Sequence, residues 1–379
     1  ALNCEIASWC RFARKNYFYP DQPKNYQISQ YDEPIAFNGY LDVPLEDGTT
    51  WRVEIERAHM EEDAAKNIHV GESGRIHGAG RTVVDYNRGG TPLAEIVTEP
   101  DLRGGDQVRE WLQLLRETLR QLEVSDVNME EGSLRCDANV SLRPIGSTEL
   151  GTKTELKNMN SFRFVERGIA AEIARQTEII KSGGKVEQET LHFDPQSGSL
   201  TSMRSKEQAH DYRYFPEPDM PPIRVSSEQI DALRASLPEL PAARAERYEQ
   251  EGNLPPELAK TLAHRLDLAE FYEQAVAASS GSTDRPRQVA NWLTGEATAK
   301  LGDKELANSA LTPASLAALL DLLDANRINN GAAKQVLETL IESGGDPEQI
   351  VSDQGLEAIG SGDELEGFVD AALAANEAA

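Results

Sequence analysis

The chain has 379 residues, of which 39% are hydrophobic and 27% are charged, and its formal net charge is −26. This length and composition predict two or three domains with packed cores. The acidity argues against non-specific nucleic-acid binding through a broad basic surface, and the sequence contains no run of 18 apolar residues that could span a membrane.

The first informative segment runs from Arg14 to Tyr31 and mixes basic residues with five aromatic ones. Such a mixture is typical of surfaces that bind single-stranded nucleic acids. The prolines Pro20 and Pro23 equally predict a rigid loop that packs its aromatic rings against a sheet, because proline fixes the backbone. We prefer this second interpretation.

Acidic residues cluster after a strand that we predict at Trp51–Glu56. The segment 57–66 brings His59, Glu61, Glu62 and Asp63 together in the sequence. Adjacent carboxylates repel one another unless a cation or an arginine is near. A hard cation such as Mg²⁺ takes oxygen ligands and keeps positions open for phosphate. The alternative is a solvated acidic turn.

Glu95 interrupts an apolar strand that we predict over Leu93–Val97. A carboxylate is almost never fully buried without a partner. A buried Glu95 therefore requires a metal ion or a base beside it. The alternative is an edge strand that turns Glu95 outward.

Polar and apolar residues alternate strictly from Ser133 to Arg143. A period of two places each set on its own face of a strand. The polar face carries Arg135, Asp137 and Arg143, an inventory that suits phosphate and metal ions better than water. A half-exposed antiparallel strand is the alternative.

A second strand, Thr152–Leu156, also has a charged face, formed by Lys153 and Glu155 and continued by Lys157. With the arginines of the preceding strand it could supply the cationic half of an ATP-phosphate site. A cross-strand ladder of ion pairs is the alternative.

Apolar stripes at helical spacing predict one helix from Asp106 to Leu122 and another from Ser161 to the glycine pair at 183 and 184. Strands interrupted by helices at irregular spacing indicate an α+β domain with a large, mostly antiparallel sheet. After residue 235 alanine and leucine dominate, and Pro256, Pro313 and Pro347 mark helix starts. The predicted domains are 1–235, an all-α helical domain at 236–352, and the beginning of a tail domain at 353–379.

Together these segments closely resemble the B subunit of the glutamyl/aspartyl-tRNA amidotransferases, over nearly the whole chain. The motifs that carry the resemblance are Arg14-Lys-Asn-Tyr-Phe-Tyr-Pro-Asp21, Tyr26-Gln-Ile-Ser-Gln30, His59-Met-Glu-Glu-Asp63, Gly90-Thr-Pro-Leu93, Met129-Glu-Glu-Gly-Ser-Leu-Arg-Cys-Asp-Ala-Asn139, Glu155-Leu-Lys-Asn158 and Asp211-Tyr-Arg-Tyr-Phe-Pro-Glu-Pro-Asp219.

The resemblance implies a catalytic cradle similar to glutamine synthetase, with ATP and Mg²⁺ as cofactors. The side-chain carboxylate of Glu-tRNA(Gln) or Asp-tRNA(Asn) would be phosphorylated, and ammonia from a glutaminase partner, the A subunit, would displace the phosphate. A small C subunit would complete a heterotrimer. By motif match Glu62 and Glu95 are the expected metal ligands.

The resemblance also implies that Lys15 and Lys24, with Glu62, form part of the ammonia route. Arg135, Asp137, Lys157 and Asn158 are our choices for contacts with ATP or the acyl phosphate, because they lie on the predicted polar faces. The three cysteines have no CxxC spacing, so we expect reduced thiols in a cytoplasmic protein.

Two features of the family pattern are missing, which predicts a chain truncated at both ends and, if it were the entire molecule, inactive. The family usually begins with a Gly-Leu-Glu-Val-His strand, whose Glu and His join the metal site, and it continues past residue 379 into a tail that contacts tRNA.

Three other functions are open to the same sequence. The archaeal counterpart carries an inserted domain, of which we find no sign after Asp219. A stand-alone carboxylate–amine ligase would not need the acidic helical region. A non-catalytic subunit that only binds tRNA and assembles the complex is the main alternative.

Overall fold

The computed structural model describes residues 1–44, 49–70, 80–205, 212–279, 283–302 and 306–358. Most of the predicted tail segment 353–379, and Asp211 of the last motif, lie outside these ranges. The chain divides into two compact units, Ala1–Pro238 and Glu239–Ala379. In the part of the chain so described, no helix combines the length and apolarity needed to cross a membrane.

The first unit holds all the described strands and three α-helices, with a short 3-10 helix at Tyr86–Arg88. The strands are β1 (Glu5–Ile6), β2 (Trp9–Cys10), β3 (Ala13–Asn16), β4 (Tyr26–Ser29), β5 (Ala36–Pro44), β6 (Thr50–Glu62), β7 (Lys66–Val70), β8 (Arg81–Asp85), β9 (Pro92–Thr98), β10 (Ala138–Val140), β11 (Thr154–Lys157), β12 (Glu189–Phe193), β13 (Leu200–Ser205), β14 (Phe215–Pro216) and β15 (Ile223–Arg224). The helices are α1 (Gly105–Gln121), α2 (Phe162–Lys181) and α3 (Ser227–Ser236).

The larger sheet is antiparallel and has seven strands in the order β1-β5-β6-β4-β3-β14, with β9 paired to β6. Its centre is β6, a 13-residue strand in which buried Val53 and Ile55 alternate with exposed Arg52, Glu54 and Glu56. Alternation of this kind buries one face of a strand. The apolar face of β6 belongs to the same core as Trp111 of α1.

The second sheet has the order β10-β11-β12-β13, with β11 and β12 parallel and the other pairs antiparallel. Leu156 and Leu191 lie on its apolar face, within the core that also contains Val165 and Ile169 of α2. The opposite face is polar. Two short sheets, β2 with β15 and β7 with β8, complete the pairing among the described strands.

The prediction of an 11-residue strand from Ser133 to Arg143 is corrected by the structure. Only Ala138–Val140 pair with a neighbour, because their partner β11 is itself only four residues long. The predicted alternation nevertheless persists, since odd-numbered side chains are exposed and even-numbered ones less so from Ser133 to Val140.

The second unit is helical. Its described α-helices are α4 (Pro241–Glu251), α5 (Pro256–Ala263), α6 (Leu266–Ala278), α7 (Arg285–Asn291), α8 (Thr298–Leu301), α9 (Pro313–Asp324), α10 (Asn330–Ser343) and α11 (Pro347–Gln354), with a π-helical turn at Trp292–Ala297. Their apolar faces share one core that includes Leu293, Leu319 and Leu337. The predicted α+β fold with a large antiparallel sheet and a following helical region is confirmed.

Candidate active site

Three potential metal ligands meet where β6 pairs with β9. His59 and Glu61 are two residues apart on β6 and therefore lie on the same face of the strand. The register of the ladder pairs His59 with Glu95 of β9. One ligand atom from each of the three side chains lies within 4.8 Å of the other two.

Burial and hydrogen bonds hold His59 and Glu61 of this cluster in place. His59 is 1% exposed, and its Nε2 lies 3.3 Å from Glu61 Oε1. Ser29 Oγ donates to Glu61 Oε1 at 2.6 Å, and Gln27 Nε2 donates to Glu61 Oε2 at 2.9 Å. Burial raises the pKa of Glu61, but the hydrogen bonds from His59 and Ser29 and the charge of Lys15 outweigh it, so the net pKa is lowered.

The residues of the cluster fit a divalent cation. The set offers two carboxylates and one imidazole, and carboxylate oxygens are ligands for Mg²⁺ while imidazole suits transition ions as well. Nδ1 of His59 is buried and has no hydrogen-bond partner among the described residues. A cation could therefore be held here by protein groups that leave coordination positions open for a ligand.

Glu62 does not belong to this cluster, which corrects the expected pairing of Glu62 with Glu95. Consecutive residues of a strand point to opposite faces, so Glu62 faces away from Glu61 and Glu95. The Glu62 carboxylate pairs with Lys24 Nζ, and its Oε1 accepts the backbone N–H of Ile28 at 2.9 Å. Beside Glu95, Glu61 takes the position that the motif match assigns to Glu62.

The two lysines expected on an ammonia route are therefore placed differently. Lys24 joins Glu62, as the motif match implied. Lys15, on β3, lies over the ring of Tyr212 at 4.9 Å, and its charge acts on Glu61. The structure thus brings Lys24 and Glu62 together and places Lys15 near the cluster of His59, Glu61 and Glu95.

The aromatic segment between Arg14 and Tyr31 is not packed flat on the sheet, contrary to our preferred interpretation. Phe18 is 78% exposed, and Tyr19 and Tyr31 are exposed as well. Tyr31 contacts His59 edge-on at 6.2 Å between ring centroids and stacks on Tyr214 at 5.2 Å. Aromatic rings therefore line one side of the cluster while part of the loop remains open to solvent.

The four residues chosen for phosphate contacts are only partly brought together. Lys157 Nζ donates to Asp137 Oδ2 at 2.6 Å and lies 3.2 Å from Glu155 Oε1. Burial lowers the pKa of Lys157, but both carboxylates raise it, and the net direction is upward. Asn158 follows β11 in a left-handed conformation with φ 62° and is exposed. In this structure Asp137 and Lys157 form an ion pair, as the alternative of a cross-strand ion-pair ladder predicts.

Arg135 takes no part in the ion pairs of Lys157, because its Nη2 donates to Asp63 Oδ2 at 2.7 Å. Asp63 directly follows β6, so the ion pair connects the polar run that begins at Ser133 to the strand that carries His59 and Glu61.

The polar face of the second sheet also contains an open cavity of about 160 Å³. Its lining is entirely polar and consists of Asn139, Lys153, Glu155, Gln188 and Glu189.

The sequence-based assignment missed His59 and Glu61 as partners of Glu95, although it had grouped both with the neighbouring carboxylates. Alternation along β6 could have shown that Glu61 and Glu62 face apart. The pairing with Glu95 could not be found that way, since it depends on the register between two strands about 35 residues apart.

Comparison with known proteins gives matches along most of the chain. A family model described as GatB/GatE catalytic domain matches residues 1–231, and one described as GatB domain matches residues 270–379. The chain is 50% identical over 382 residues to the B subunit of the aspartyl/glutamyl-tRNA(Asn/Gln) amidotransferase of Mycobacterium bovis and of Mycobacterium tuberculosis, covering 99% of this chain and 74% of each relative. The protein of the same name from Mycobacterium sp. strain KMS is also 50% identical, over 385 residues, with 99% and 75% covered.

Proposed function

The chain belongs to the GatB family of tRNA-dependent amidotransferase subunits, and from this membership we propose that it activates the side-chain carboxylate of a mischarged aminoacyl-tRNA with ATP. The substrate is glutamate or aspartate esterified to tRNA(Gln) or tRNA(Asn). The observation that carries the proposal is the convergence of His59, Glu61 and Glu95 within 4.8 Å, because a protein that only held tRNA would gain nothing from it.

The proposed chemistry follows from the poor electrophilicity of a carboxylate. An oxygen of the substrate carboxylate attacks the γ-phosphorus of ATP, the bond to the β-bridging oxygen breaks, and ADP leaves. The product is an acyl phosphate. Ammonia then attacks the acyl carbon, inorganic phosphate leaves, and the nitrogen loses a proton to give the amide. Phosphoryl transfer of this kind depends mainly on positioning and on positive charge around the phosphate oxygens.

The residues of the cluster have defined roles in this proposal. His59, Glu61 and Glu95 would hold a divalent cation, for which we propose Mg²⁺, and such an ion would neutralise charge on the nucleotide phosphates. Ser29 and Gln27 fix the Glu61 carboxylate through hydrogen bonds at 2.6 and 2.9 Å. Because both oxygens of Glu61 are engaged, its side chain stays oriented toward His59.

Cationic side chains of the polar run would contact the phosphates. Arg135 offers a guanidinium that is still 45% exposed on its side chain, and guanidinium groups bind phosphate oxygens in pairs. Lys157 is more constrained, because it is held by Asp137 and Glu155. We therefore propose Arg135 as the main phosphate contact, and we propose that Asp137, Lys157 and Asn158 contact the rest of the nucleotide.

Ammonia is proposed to come from a glutaminase partner protein, in a complex completed by a small third protein. The Lys24–Glu62 pair lies on the opposite face of β6 from the side chains of His59 and Glu61. Following the motif match, we propose that this polar pair forms part of the ammonia route, because its charged groups can form hydrogen bonds with ammonia. Lys15, beside the cluster, would meet the same molecule at the reacting end.

The test uses the full-length protein in complex with its partners. We would supply γ-labelled ATP, Mg²⁺ and mischarged tRNA without an ammonia source and measure phosphate release for the unsubstituted complex and for Glu95→Gln. We expect release that depends on mischarged tRNA and falls at least about 100-fold in the variant, in line with the loss of one electrostatic contact to the transition state.

Glu99→Gln is the matched control, because Glu99 lies just after the same strand and outside the cluster. It should release phosphate at the unsubstituted rate. Release that is indifferent to Glu95→Gln, with the complex still assembled, would support the alternative of a non-catalytic protein that binds tRNA and assembles the complex.

A further inference from the structure

Asp63 occupies a tightly fixed position at the end of β6. Its backbone N–H donates to Thr91 O at 2.7 Å, and its carbonyl accepts from Gly90 N at 2.9 Å. Its side-chain Oδ1 accepts the N–H of Ala64 at 2.8 Å. The residue is 8% exposed. Neither the backbone nor the carboxylate of Asp63 can therefore move without breaking hydrogen bonds.

Two arginines approach the second oxygen of this carboxylate. Arg135 Nη2 donates to Asp63 Oδ2 at 2.7 Å, whereas Arg88 Nε is 3.5 Å from the same atom. Arg88 is already engaged, because its Nε and Nη2 donate to the carbonyls of Ala64 and Ala65 at 2.9 and 3.2 Å. The strong contact of the Asp63 side chain is thus with Arg135.

The guanidinium of Arg135 uses only one of its nitrogens in this contact. Among the residues that the structure describes, Asp63 is the one hydrogen-bond partner of the Arg135 side chain. A guanidinium has five N–H donors in a planar fork, so donors remain for a bidentate contact with an anion. Asp21 interacts electrostatically with both Arg88 and Asp63, so the positive charge available to an anion here is that of the partly exposed Arg135 guanidinium.

The position of Asp63 puts this charge close to the cluster. Asp63 lies two residues past Glu61, and two residues of extended chain span about 7 Å. The guanidinium of Arg135, although it comes from a segment more than 70 residues away in sequence, is thereby tied to the strand that carries His59 and Glu61.

We propose that Asp63 is a positioning residue that holds the Arg135 guanidinium against the phosphoryl group transferred from ATP. This inference rests on the proposed function. Arg135 contacts the phosphate oxygens as the phosphoryl group leaves ADP for the substrate carboxylate, and Asp63 acts only through Arg135. An arginine held in place before the reaction need not be reoriented during it, and misplacement by about 1 Å can lower a rate about 100-fold.

The test is a double-mutant cycle in the assembled complex, with tRNA-dependent phosphate release as the readout. Arg135→Ala should lower kcat on the order of 100- to 1000-fold, and Asp63→Asn on the order of 10- to 100-fold. The double variant should be no slower than Arg135→Ala alone, within about twofold, because Asp63 has no role once Arg135 is gone. Arg88→Gln removes the other cation near Asp63 and should change kcat less than about threefold.

Chemical rescue separates positioning from a structural role. Added guanidinium ion should restore activity to Arg135→Ala while Asp63 is present to bind it, and it should fail to do so in the double variant. The affinity for a non-hydrolysable ATP analogue, measured by calorimetry, should fall in both single variants, less in Asp63→Asn than in Arg135→Ala, and no further in the double variant than in Arg135→Ala.

Different results would contradict the positioning role of Asp63 and the proposed function on which it rests. Additive losses in the cycle, or equal rescue with and without Asp63, would show that Asp63 does not act through Arg135 and would leave the proposed function standing. An unsubstituted complex that releases no phosphate from ATP in response to mischarged tRNA would overturn both.

Discussion

Replacing Glu172 in α2 by alanine should destabilise the second sheet of the first unit. Glu172 is 0% exposed and accepts from Arg175 Nε at 2.7 Å, from Thr154 Oγ1 at 2.7 Å and from Gln176 Nε2 at 2.8 Å. Thr154 belongs to β11, so this single carboxylate connects the helix to the sheet whose other face carries Lys157.

The expected loss of stability depends on which hydrogen-bond acceptors remain for Arg175, Gln176 and Thr154 after the Glu172 carboxylate is removed. Removing one member of a buried ion pair costs about 3–5 kcal/mol. Arg175 retains Glu189 at 3.0 Å and is partly exposed, and Gln176 retains the carbonyl of Val140 at 3.0 Å. Thr154 loses its strong acceptor. We therefore expect a loss near the lower end, about 3 kcal/mol.

Native-state hydrogen exchange at the β11 amides is the assay, because it reports on this sheet independently of the helical unit. A loss of about 3 kcal/mol corresponds to exchange on the order of 100-fold faster. Glu178→Ala is the matched control, an exposed glutamate on the same helix, and should cost less than about 0.5 kcal/mol. If Glu172→Ala behaved like Glu178→Ala, the buried network would not hold the helix to the sheet.

Three further predictions concern other parts of the chain. The hydrogen bonds and charge of Arg14 lower the pKa of Glu217. The pair therefore stabilises the fold at pH values above the ordinary carboxyl pKa, and this contribution is lost as the pH falls through the lowered pKa. Thermal unfolding temperatures of Glu217→Gln and of the unsubstituted protein should differ most near neutral pH and converge in acid. Gly105→Ala would bring a Cβ to 2.5 Å from a backbone carbonyl of α2 and should cost about 1–3 kcal/mol by thermal unfolding, whereas Gly295→Ala, with nothing within 4 Å, should not. Burial, aided by the charge of Asp137, raises the pKa of Cys136 to about 12. Iodoacetamide, followed by mass spectrometry, should therefore alkylate Cys136 slowly near neutral pH until the protein unfolds. Rapid labelling of the folded chain would contradict the raised pKa.

Helix boundaries were predictable because their signals are local. Pro313 and Pro347 were predicted to begin helices, and the residues just before them, Thr312 and Asp346, accept hydrogen bonds from the first turns of α9 and α11. Likewise Ser161 caps α2 through the N–H of Phe164. A capping side chain and a proline act within four residues, so no tertiary information is needed to place them.

Strand faces were predictable, but their pairing was not. The alternation predicted correctly which side chains are more exposed from Ser133 to Val140, yet it overestimated the length of the ladder, which depends on the extent of β11. The partner of Glu95 was likewise set by register: His59 faces it across the β6–β9 ladder, and Glu61 follows on the same face. Motif similarity had selected the neighbouring Glu62, which points the other way.

Transfer of an oxygen atom would test the central proposal, carboxylate phosphorylation on this protein, most directly. The mischarged tRNA would carry glutamate labelled with ¹⁸O in its side-chain carboxylate, and the intact complex would be given ATP and an ammonia source. An acyl phosphate requires that one labelled oxygen leave with inorganic phosphate for each amide formed, and that Glu95→Gln abolish both products together. Amide formation with unlabelled phosphate, or labelled phosphate that persists undiminished in Glu95→Gln, would contradict the account.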